Sequence, residues 1–425
     1  MEKVFALVDC NSFYASCEKV FNPTLEDKAV VVLSNNDGCI IARSKEAKDA
    51  GVKMGEPAFK IKDILEKKNV QVFSANFALY GDMSQRVMNV LSKFTPDLEI
   101  YSIDEAFLDI PGMKENELVL YAQKIRNTVL QWTGIPVTIG IARTKTLAKI
   151  ANHIAKKSEK LKGVLSIIDE QSIEKALQIT PVEDVWGVGQ KYCAFLRSHG
   201  ITNALELSKA NDSWIKKHLR IVGLRTVEEL RGKPCIAFDI TVADKQAICT
   251  SRSFGQPLTD YADLEEAVST FASRCAEKLR HQKSCASVMT VFVMTNLFAK
   301  DPKYVNGKTV QLAVATNNSS EIISHAVTLL KLLFKKGYKY KKVGVILAEF
   351  IPESEVQQSI WDNMNREKQS ELMGVIDKIT STMGRDVVKF AIQGTKKRWK
   401  LRQEKLSPCY TTKWEDILTI DIDKE

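Results

Sequence analysis

The sequence of 425 residues lacks several patterns that mark particular classes of protein. Its nine cysteines are odd in number and include no Cys-X-X-Cys pair, which argues against a disulfide framework and a thiolate zinc site. The five histidines form no ligand-spaced cluster, and no apolar run approaches the roughly 18 residues of a membrane span. The opening residues, MEKVFALVDC, are interrupted too soon by Asp9 for a signal peptide. We therefore expect a reduced, cytosolic protein without a membrane partner.

The composition is that of a globular protein with a modest basic excess. Apolar residues make up 44% of the chain, and 61 basic against 52 acidic side chains give a net charge of +9. Residues 244–349 carry 15 Lys and Arg against 9 Asp and Glu, whereas the last 75 residues carry 13 of each. Lysine and tyrosine interleave around Lys339 and Lys341, which suits a surface that follows a phosphate backbone or an ordinary solvated face.

The first 170 residues predict an α+β fold. Apolar runs and amphipathic stretches follow one another as strand, helix, strand, strand, helix, strand, with a long insertion after the first helix. The insertion contains two strands joined by a turn at residues 36–38. This order is the ferredoxin-like split βαββαβ pattern.

The next segments have a different character. In residues 181–208, two short helical patterns flank Gly187-Val188-Gly189, which indicates either a helix-hairpin-helix element or an ordinary turn between helices. Residues 231–255 have the composition of a linker. Strands and helices then alternate from residue 244 to residue 349, with helices expected at 261–281 and 320–334.

Two adjacent carboxylates, Asp104 and Glu105, interrupt the apolar strand pattern of EIYSIDEAFLDI. Neighbouring side chains of a strand point to opposite faces, so the two can share a site only if the chain breaks into a hairpin there. If the strand that ends at Asp9 lies beside this hairpin, three carboxylates meet at one sheet edge. The alternative is a polar turn without a function.

Three ionised carboxylates repel one another strongly unless cations offset their charge. Mg²⁺ takes oxygen ligands, and a pair of ions about 3.5–4 Å apart can hold the attacking and leaving oxygens of a phosphoryl displacement. Basic residues that could hold a triphosphate lie within reach in the sequence: Arg43, Lys45, Lys48, Lys149, Lys156 and Lys157.

Taken together, these motifs resemble the Y-family of translesion DNA polymerases. The resemblance rests on VDCNSFYASCE, NNDGCIIARSKEAKDAGVKMG, YSIDEAFLD and GIARTKTLAKIANHIAKK, in this order and spacing. VWGVGQKYCAFLRSHGI and SRSFG extend the match to about residue 350. The later LSPCYTTKWEDIL resembles the end of the UmuC-type catalytic subunits of bacterial DNA polymerase V.

The resemblance implies a site for two Mg²⁺ ions and a deoxynucleoside triphosphate. Asp9, Asp104 and Glu105, with the carbonyl of Cys10, would bind the ions, and the backbone at Asn11, Ser12 and Phe13 would follow the phosphates. Tyr14 matches the steric gate that excludes a ribose 2′-hydroxyl, although alone it would read as a core aromatic. Lys156 matches the family's triphosphate lysine.

One departure from the family concerns the fingers. Where many relatives have a tyrosine and an arginine on the triphosphate, this sequence has Lys45 and Lys48. Lysine lacks the bidentate fork of arginine, so either Lys48 or Arg43 is expected to supply this contact.

The implied architecture is a right-hand polymerase. Its parts would be the palm (1–16 and 77–170), the fingers (17–76), the helix-hairpin-helix thumb (171–232), the α/β little finger (243–350) and a C-terminal tail (351–425). Small fingers enclose the nascent base pair loosely, which admits damaged template bases and lowers fidelity. Primer-template DNA would contact Gly187, Gly189, Lys339 and Lys341.

The tail implies protein partners. QQSIWD resembles the peptide that docks on the sliding clamp, with Gln357, Ile360 and Trp361 as anchors and Gln358 where an aliphatic is usual. By family analogy the tail would also contact a UmuD′-type accessory dimer and the RecA filament, in a bacterial SOS response to DNA damage near the nucleoid.

Two other functions use the same features. A palm-type nucleotide cyclase or another two-metal phosphodiester enzyme could share the sheet and the carboxylates, but it would not need the basic domain. A non-catalytic DNA-binding scaffold would retain the basic domain, but intact Asp9, Asp104 and Glu105 argue against it.

Overall fold

A computed structural model describes residues 3–110, 113–239, 244–362, 364–384, 386–395 and 398–419. The chain divides into two compact units. The first comprises Met1–Ser34, Gly38–Val242 and Lys405–Glu425, and the second comprises Asn35–Asp37 and Ala243–Glu404.

The first unit is built from short strands and helices that alternate along the chain. Its strands are β1 (Phe5–Cys10), β2 (Val30–Leu33), β3 (Ile40–Arg43), β4 (Gln71–Ser74), β5 (Leu98–Ile100), β6 (Glu105–Asp109), β7 (Val137–Ala142) and β8 (Val164–Ile167). Its helices are α1 (Phe13–Val20), α2 (Lys45–Asp49), α3 (Lys62–Lys67), α4 (Phe77–Leu91), α5 (Glu115–Thr133), α6 (Lys145–Lys157), α7 (Glu170–Ile179), α8 (Gln190–Ser198), α9 (Ala204–Ser208) and α10 (Asp212–Leu230).

The main sheet of this unit has the strand order β5-β6-β1-β7-β8. The four strands β1, β5, β6 and β7 stand in the order of a ferredoxin-like fold, which confirms the predicted βαββαβ pattern. The central strand β1 is apolar apart from Asp9 near its end, because both of its faces are covered: Ala6 and Val8 join one core cluster, and Phe5 and Leu7 join another.

Helix α6 lies very close to this sheet. A Cβ atom at Gly140 of β7 would stand 2.2 Å from the backbone nitrogen of Asn152, so only glycine permits this approach. The side chain of Asn152 donates hydrogen bonds to the carbonyls of Leu7 (3.3 Å) and Thr138 (2.7 Å). Helix α6 is thereby fixed beneath the ends of β1 and β7.

A smaller sheet with the order β3-β2-β4 occupies the insertion. The antiparallel pair of β2 and β3 confirms the two strands predicted on either side of residues 36–38. Helix α2 begins after Ser44, whose hydroxyl accepts a hydrogen bond from the N–H of Ala47, and it brings Lys45 and Lys48 onto this sheet.

The second unit contains a four-stranded antiparallel sheet with the order β11-β10-β12-β9, covered by helices. Its elements are β9 (Ala247–Leu258), α11 (Tyr261–His281), β10 (Ser284–Thr295), β11 (Val305–Thr316), α12 (Ser319–Leu333), β12 (Tyr340–Pro352) and α13 (Arg366–Met383). The prediction of a linker at residues 231–255 was wrong for its last part, because strand β9 begins at Ala247.

The tail divides between the units. Residues 351–404 belong to the second unit and residues from Lys405 onward belong to the first. None of the helices in the described part of the chain combines the length and apolar character needed to cross a bilayer.

Candidate active site

The two adjacent carboxylates lie at a hairpin between β5 and β6. The hydroxyl of Ser102 accepts hydrogen bonds from the N–H groups of Asp104 (3.3 Å) and Glu105 (3.0 Å), and it donates to Oδ1 of Asp104 (2.6 Å). These bonds close the turn, and β6 begins at Glu105. The predicted break in the strand is therefore confirmed.

The hairpin lies directly beside the end of β1. Asp9 stands opposite Glu105 in the antiparallel register, so both side chains point to the same face. The N–H of Cys10 donates to the carbonyl of Asp104 at 2.8 Å. The backbone thus brings Asp9 beside the adjacent pair Asp104 and Glu105 at one sheet edge, although Asp9 is distant from them in the sequence.

The environment of Asp9 disfavours its charge. Burial, with smaller contributions from the charge of Glu105 and a hydrogen bond to it, raises the pKa of Asp9 to about 6, although Lys156 acts in the opposite direction. Burial and the neighbouring carboxylates also raise the pKa of the Cys10 thiol. The Cys10 thiol is therefore kept in its neutral form.

Two lysines of α6 neutralise the carboxylates. Lys156 Nζ lies 2.6 Å from Asp9 Oδ2, and Lys149 Nζ lies 2.9 Å from Glu105 Oε2. Lys149 also lies over the rings of Tyr101 (4.5 Å to the centroid) and Trp186 (5.2 Å). The sequence had offered Lys149 only as a triphosphate ligand, and its pairing with Glu105 was not predicted.

The donor set suits Mg²⁺, which prefers oxygen ligands. Within the described ranges, no three or more His, Cys, Asp or Glu side chains are gathered closely enough to hold a metal ion. Asp9 and Glu105 are adjacent, whereas the Asp104 carboxylate bonds to Ser102. Burial and, to a smaller extent, the charge of Glu105 raise the pKa of Asp9, and a divalent cation would offset both, so these residues fit the ion by chemistry.

The junction of β1 and α1 forms the next part of the site. Ser12 has a left-handed backbone (φ 48°, ψ 43°), and its side chain does not cap α1. Its hydroxyl instead accepts a hydrogen bond from Lys48 Nζ at 3.1 Å. Asn11 is anchored by its N–H to the Pro136 carbonyl (2.8 Å), and Phe13 is buried. The start of a helix beside a lysine is a favourable place for phosphate oxygens.

A cavity of about 550 Å³ opens beside this junction. Its basic lining residues are Lys45, Lys48, Arg126, Lys156 and Lys162. Burial, followed by the charges of Arg43 and Lys156, lowers the pKa of Lys48, so an anion in the cavity would restore the preference for its charged form. Arg126 and Lys162 were not predicted, because nothing in the local sequence connects them with the other residues.

Of the two candidates from the fingers, Lys48 lines this cavity. Arg43 donates a hydrogen bond to the carbonyl of Val52 instead. Lys45 forms an exposed ion pair with Glu159 at 2.8 Å.

Tyr14 lies close to the carboxylates. Burial, together with the charge of Asp104, raises its pKa. The half-buried ring stacks on Tyr80 with centroids 4.5 Å apart and an angle of 15° between the planes, and it meets Phe77 edge-on. Tyr14 thus packs on the core without being enclosed by it.

The predicted DNA contacts lie in both units. Gly187 has a left-handed backbone (φ 89°), and Gly189 caps α8, whose partner before the glycines is a short 3₁₀ helix, Val182–Asp184. Lys339 pairs with Asp301 at 3.0 Å, and Lys341 donates to the carbonyls of Phe254 and Gly255. Their contact with DNA stays a prediction.

The predicted clamp-binding residues are strongly exposed. Ile360 is 90% and Trp361 83% exposed, and Gln357 is exposed as well. The N–H of Trp361 donates to the hydroxyl of Ser359, which stabilises the turn.

Three family descriptions match the chain. Residues 8–153 match the impB/mucB/samB family, residues 245–360 match the C-terminal domain of that family, and residues 370–420 match a domain of unknown function.

Individual relatives agree with this result. Protein UmuC of Salmonella typhimurium is 44% identical over 421 residues, which cover 98% of this chain and 100% of that protein. DNA polymerase IV of Oceanobacillus iheyensis is 24% identical and covers 90% of each chain. A solved Y-family DNA polymerase chimera of Dbh and Dpo4 is 23% identical, and its TM-score of 0.65 over 82% of this chain and 99% of its own confirms the predicted fold class. The chain belongs to the impB/mucB/samB family, is similar to protein UmuC over nearly its whole length, and has the fold of a Y-family DNA polymerase.

Proposed function

We propose that this chain is an error-prone, template-directed DNA polymerase that performs translesion synthesis in the bacterial SOS response. The observation that carries the proposal is the position of Asp9 opposite Glu105 across β1 and β6, where the N–H of Cys10 also donates to the carbonyl of Asp104. A cavity lined by lysines, among them the Asp9 partner Lys156, lies next to this pair. Acidic oxygens for metal ions and cations for a triphosphate are the two requirements of nucleotidyl transfer.

Two Mg²⁺ ions would be held by Asp9, Asp104 and Glu105 with the carbonyl of Cys10. When bound, they would supply activation of the primer 3′-hydroxyl and charge neutralisation for the pyrophosphate leaving group. Lys156 and Lys149 hold the carboxylates in place without the ions, at 2.6 and 2.9 Å.

The triphosphate would occupy the lysine-lined cavity. Lys48 and Lys156 would bind its oxygens as point charges, and the backbone of Asn11, Ser12 and Phe13 would orient it at the start of α1. Arg43 is less suited because it is committed to the carbonyl of Val52.

Tyr14 would select the sugar. Its ring lies near the charge of Asp104 and is held by Tyr80 and Phe77, but it is only half-buried, so its exposed part can contact a substrate. A ribose 2′-hydroxyl would collide with the ring, whereas a deoxyribose would pass.

The remaining roles follow the family's arrangement of palm (1–16 and 77–170), fingers (17–76), thumb (171–232), little finger (243–350) and tail (351–425). Gly187 and Gly189 would contact the DNA backbone. Lys339 would release Asp301, and Lys341 would release the carbonyl of Gly255, to bind DNA phosphates instead. Exposed Ile360 and Trp361 favour docking of Gln357–Trp361 on the sliding clamp. A UmuD′-type dimer and the RecA filament would bind the tail, in the bacterial cytoplasm at the nucleoid.

The test is primer extension on a template with one defined lesion, with and without the accessory proteins. We expect insertion opposite the lesion with Mg²⁺ and deoxynucleoside triphosphates, and its loss in Asp104→Ala. Extension by Asp104→Ala at the wild-type rate would contradict the two-metal mechanism. If the wild-type chain extended no primer on any template, the proposed polymerase activity would be contradicted.

A further inference from the structure

The last part of the segment that matches the domain of unknown function, from Lys405 onward, belongs to the first unit. We call residues 405–410 the tail clasp. Ser74 donates its N–H to the carbonyl of Lys405 (2.9 Å), and its hydroxyl accepts from the N–H of Lys405 (3.0 Å). Asn76 Nδ2 donates to the carbonyls of Ser407 (3.0 Å) and Pro408 (3.2 Å). The tail clasp is thus bonded to the end of β4 and the start of α4.

A buried carboxylate connects the tail clasp with α1. Glu18 is only 2% exposed, and its Oε1 accepts hydrogen bonds from the hydroxyls of Tyr80 (2.6 Å) and Ser407 (3.0 Å). Burial raises the pKa of Glu18, while these two bonds lower it. A carboxylate can be buried at modest cost only with such donors, so the position of each donor is specified.

The same tyrosine reaches Tyr14. Tyr80 is completely buried and stacks on Tyr14 at 4.5 Å while its hydroxyl bonds to Glu18. Tyr14 and Glu18 are four residues apart on α1 and therefore share one face. Tyr410 of the tail clasp continues this face by stacking on Phe21, with centroids 4.8 Å apart and 13° between the planes.

We propose that the tail clasp positions the steric gate, so that Ser407, acting through Glu18 and Tyr80, sets the discrimination against ribonucleoside triphosphates. The inference deepens the proposed function, because it depends on Tyr14 facing the sugar. Ser407, Glu18 and Tyr80 are positioning residues that need not touch the substrate. The tail of this polymerase thereby contributes to substrate choice as well as to partner binding.

The experiment measures kcat/KM for a deoxynucleotide and for the matching ribonucleotide with the full chain and its accessory proteins. We expect Ser407→Ala and Tyr80→Phe to lower the preference for the deoxynucleotide by about five- to tenfold, the factor that one lost buried hydrogen bond implies. The gain should come from ribonucleotide insertion. Glu18→Gln should keep the preference, because its amide oxygen can still accept both bonds.

A matched control removes a buried hydroxyl on another helix that has no hydrogen bond to Glu18, Tyr80 or Ser407. Thr133 is buried at the end of α5, where its hydroxyl donates to the carbonyl of Val129 at 2.7 Å. Thr133→Val should lower stability to a similar extent and leave the sugar preference unchanged. An equal fall of the preference in Thr133→Val would overturn the proposal, because the effect would then reflect general destabilisation.

Tyr14→Ala separates this inference from the proposed function. If Tyr14→Ala admits ribonucleotides while Ser407→Ala and Tyr80→Phe discriminate like the wild type, the positioning role is wrong and the steric gate stands. An unchanged preference in Tyr14→Ala contradicts the gate itself. In the double variant, Ser407→Ala should add nothing to Tyr14→Ala, because both changes act through one ring.

Discussion

Lys149 donates hydrogen bonds to both carboxylate oxygens of Glu105, at 3.1 Å to Oε1 and 2.9 Å to Oε2. The ammonium also lies over the rings of Tyr101, Phe107 and Trp186, so aromatic faces and a carboxylate hold it together. This arrangement fixes the orientation of Glu105 before any substrate binds.

Removal of this lysine should therefore destabilise the fold. We expect Lys149→Ala to lower the free energy of unfolding by about 1–3 kcal/mol, because it leaves a largely buried carboxylate without its partner. Chemical denaturation measures the change. Lys45→Ala is the control, since the pair of Lys45 and Glu159 is exposed and should have no measurable effect.

The carboxylates should respond to Mg²⁺ in the absence of DNA. We expect Mg²⁺ to raise the melting temperature of the wild-type chain, because the ion relieves the repulsion between Asp9 and Glu105. The rise should be absent in Asp9→Asn. An undiminished rise in that variant would show that the ion binds elsewhere.

Lys48 should contribute more to triphosphate binding than the other candidates from the fingers. Lys48→Ala is expected to raise KM for the incoming nucleotide by about tenfold, the loss of one charge-assisted contact, with a smaller change in kcat. Steady-state insertion kinetics provide the measurement. Arg43→Lys should change KM little, because Arg43 bonds to Val52, and a larger effect there would reverse the assignment.

The stability of the chain should depend on pH through Glu18. Its pKa is raised above the ordinary value of 4.5, so its contribution is fully present below pH 4.5 and is lost as the pH rises through the raised value. As the pH rises above 4.5, the melting temperature of the wild type should fall relative to that of Glu18→Gln. Parallel curves for the two proteins would contradict the raised pKa.

The exposed anchors of the tail should matter only when the clamp is present. Simultaneous replacement of Gln357, Ile360 and Trp361 by alanine is expected to reduce synthesis on clamp-loaded templates and to spare synthesis on bare ones. Equal losses on both templates would indicate a folding defect.

Local sequence patterns predicted the parts of the site that depend on local structure. The hairpin at Asp104 and Glu105 followed from two charges within an apolar strand, and the extent of α11 followed from its periodicity. Strand β9 was missed because it contains Gly255, which weakens a strand pattern, and Pro257, which sheets tolerate mainly in edge strands such as this one.

Contacts between distant segments could not be predicted. The bond between Ser407 and Glu18 joins residues 389 positions apart, and neither residue shows a pattern that points to the other. The partner of Lys149 was equally hidden, because the sequence gives the exposed and buried faces of α6 but not its register against the sheet.

The absence of a side chain at Gly140 determines how closely α6, with Lys149 and Lys156, packs against the sheet. Lys149 and Lys156 both belong to α6, which packs so closely on β7 that a Cβ atom at Gly140 would lie 2.2 Å from the backbone nitrogen of Asn152 and clash with it. Because one helix carries both ammonium groups, a displacement of α6 would move both of them together. A methyl group added at Gly140 would therefore change the ion pairs of both Asp9 and Glu105 without contacting either carboxylate.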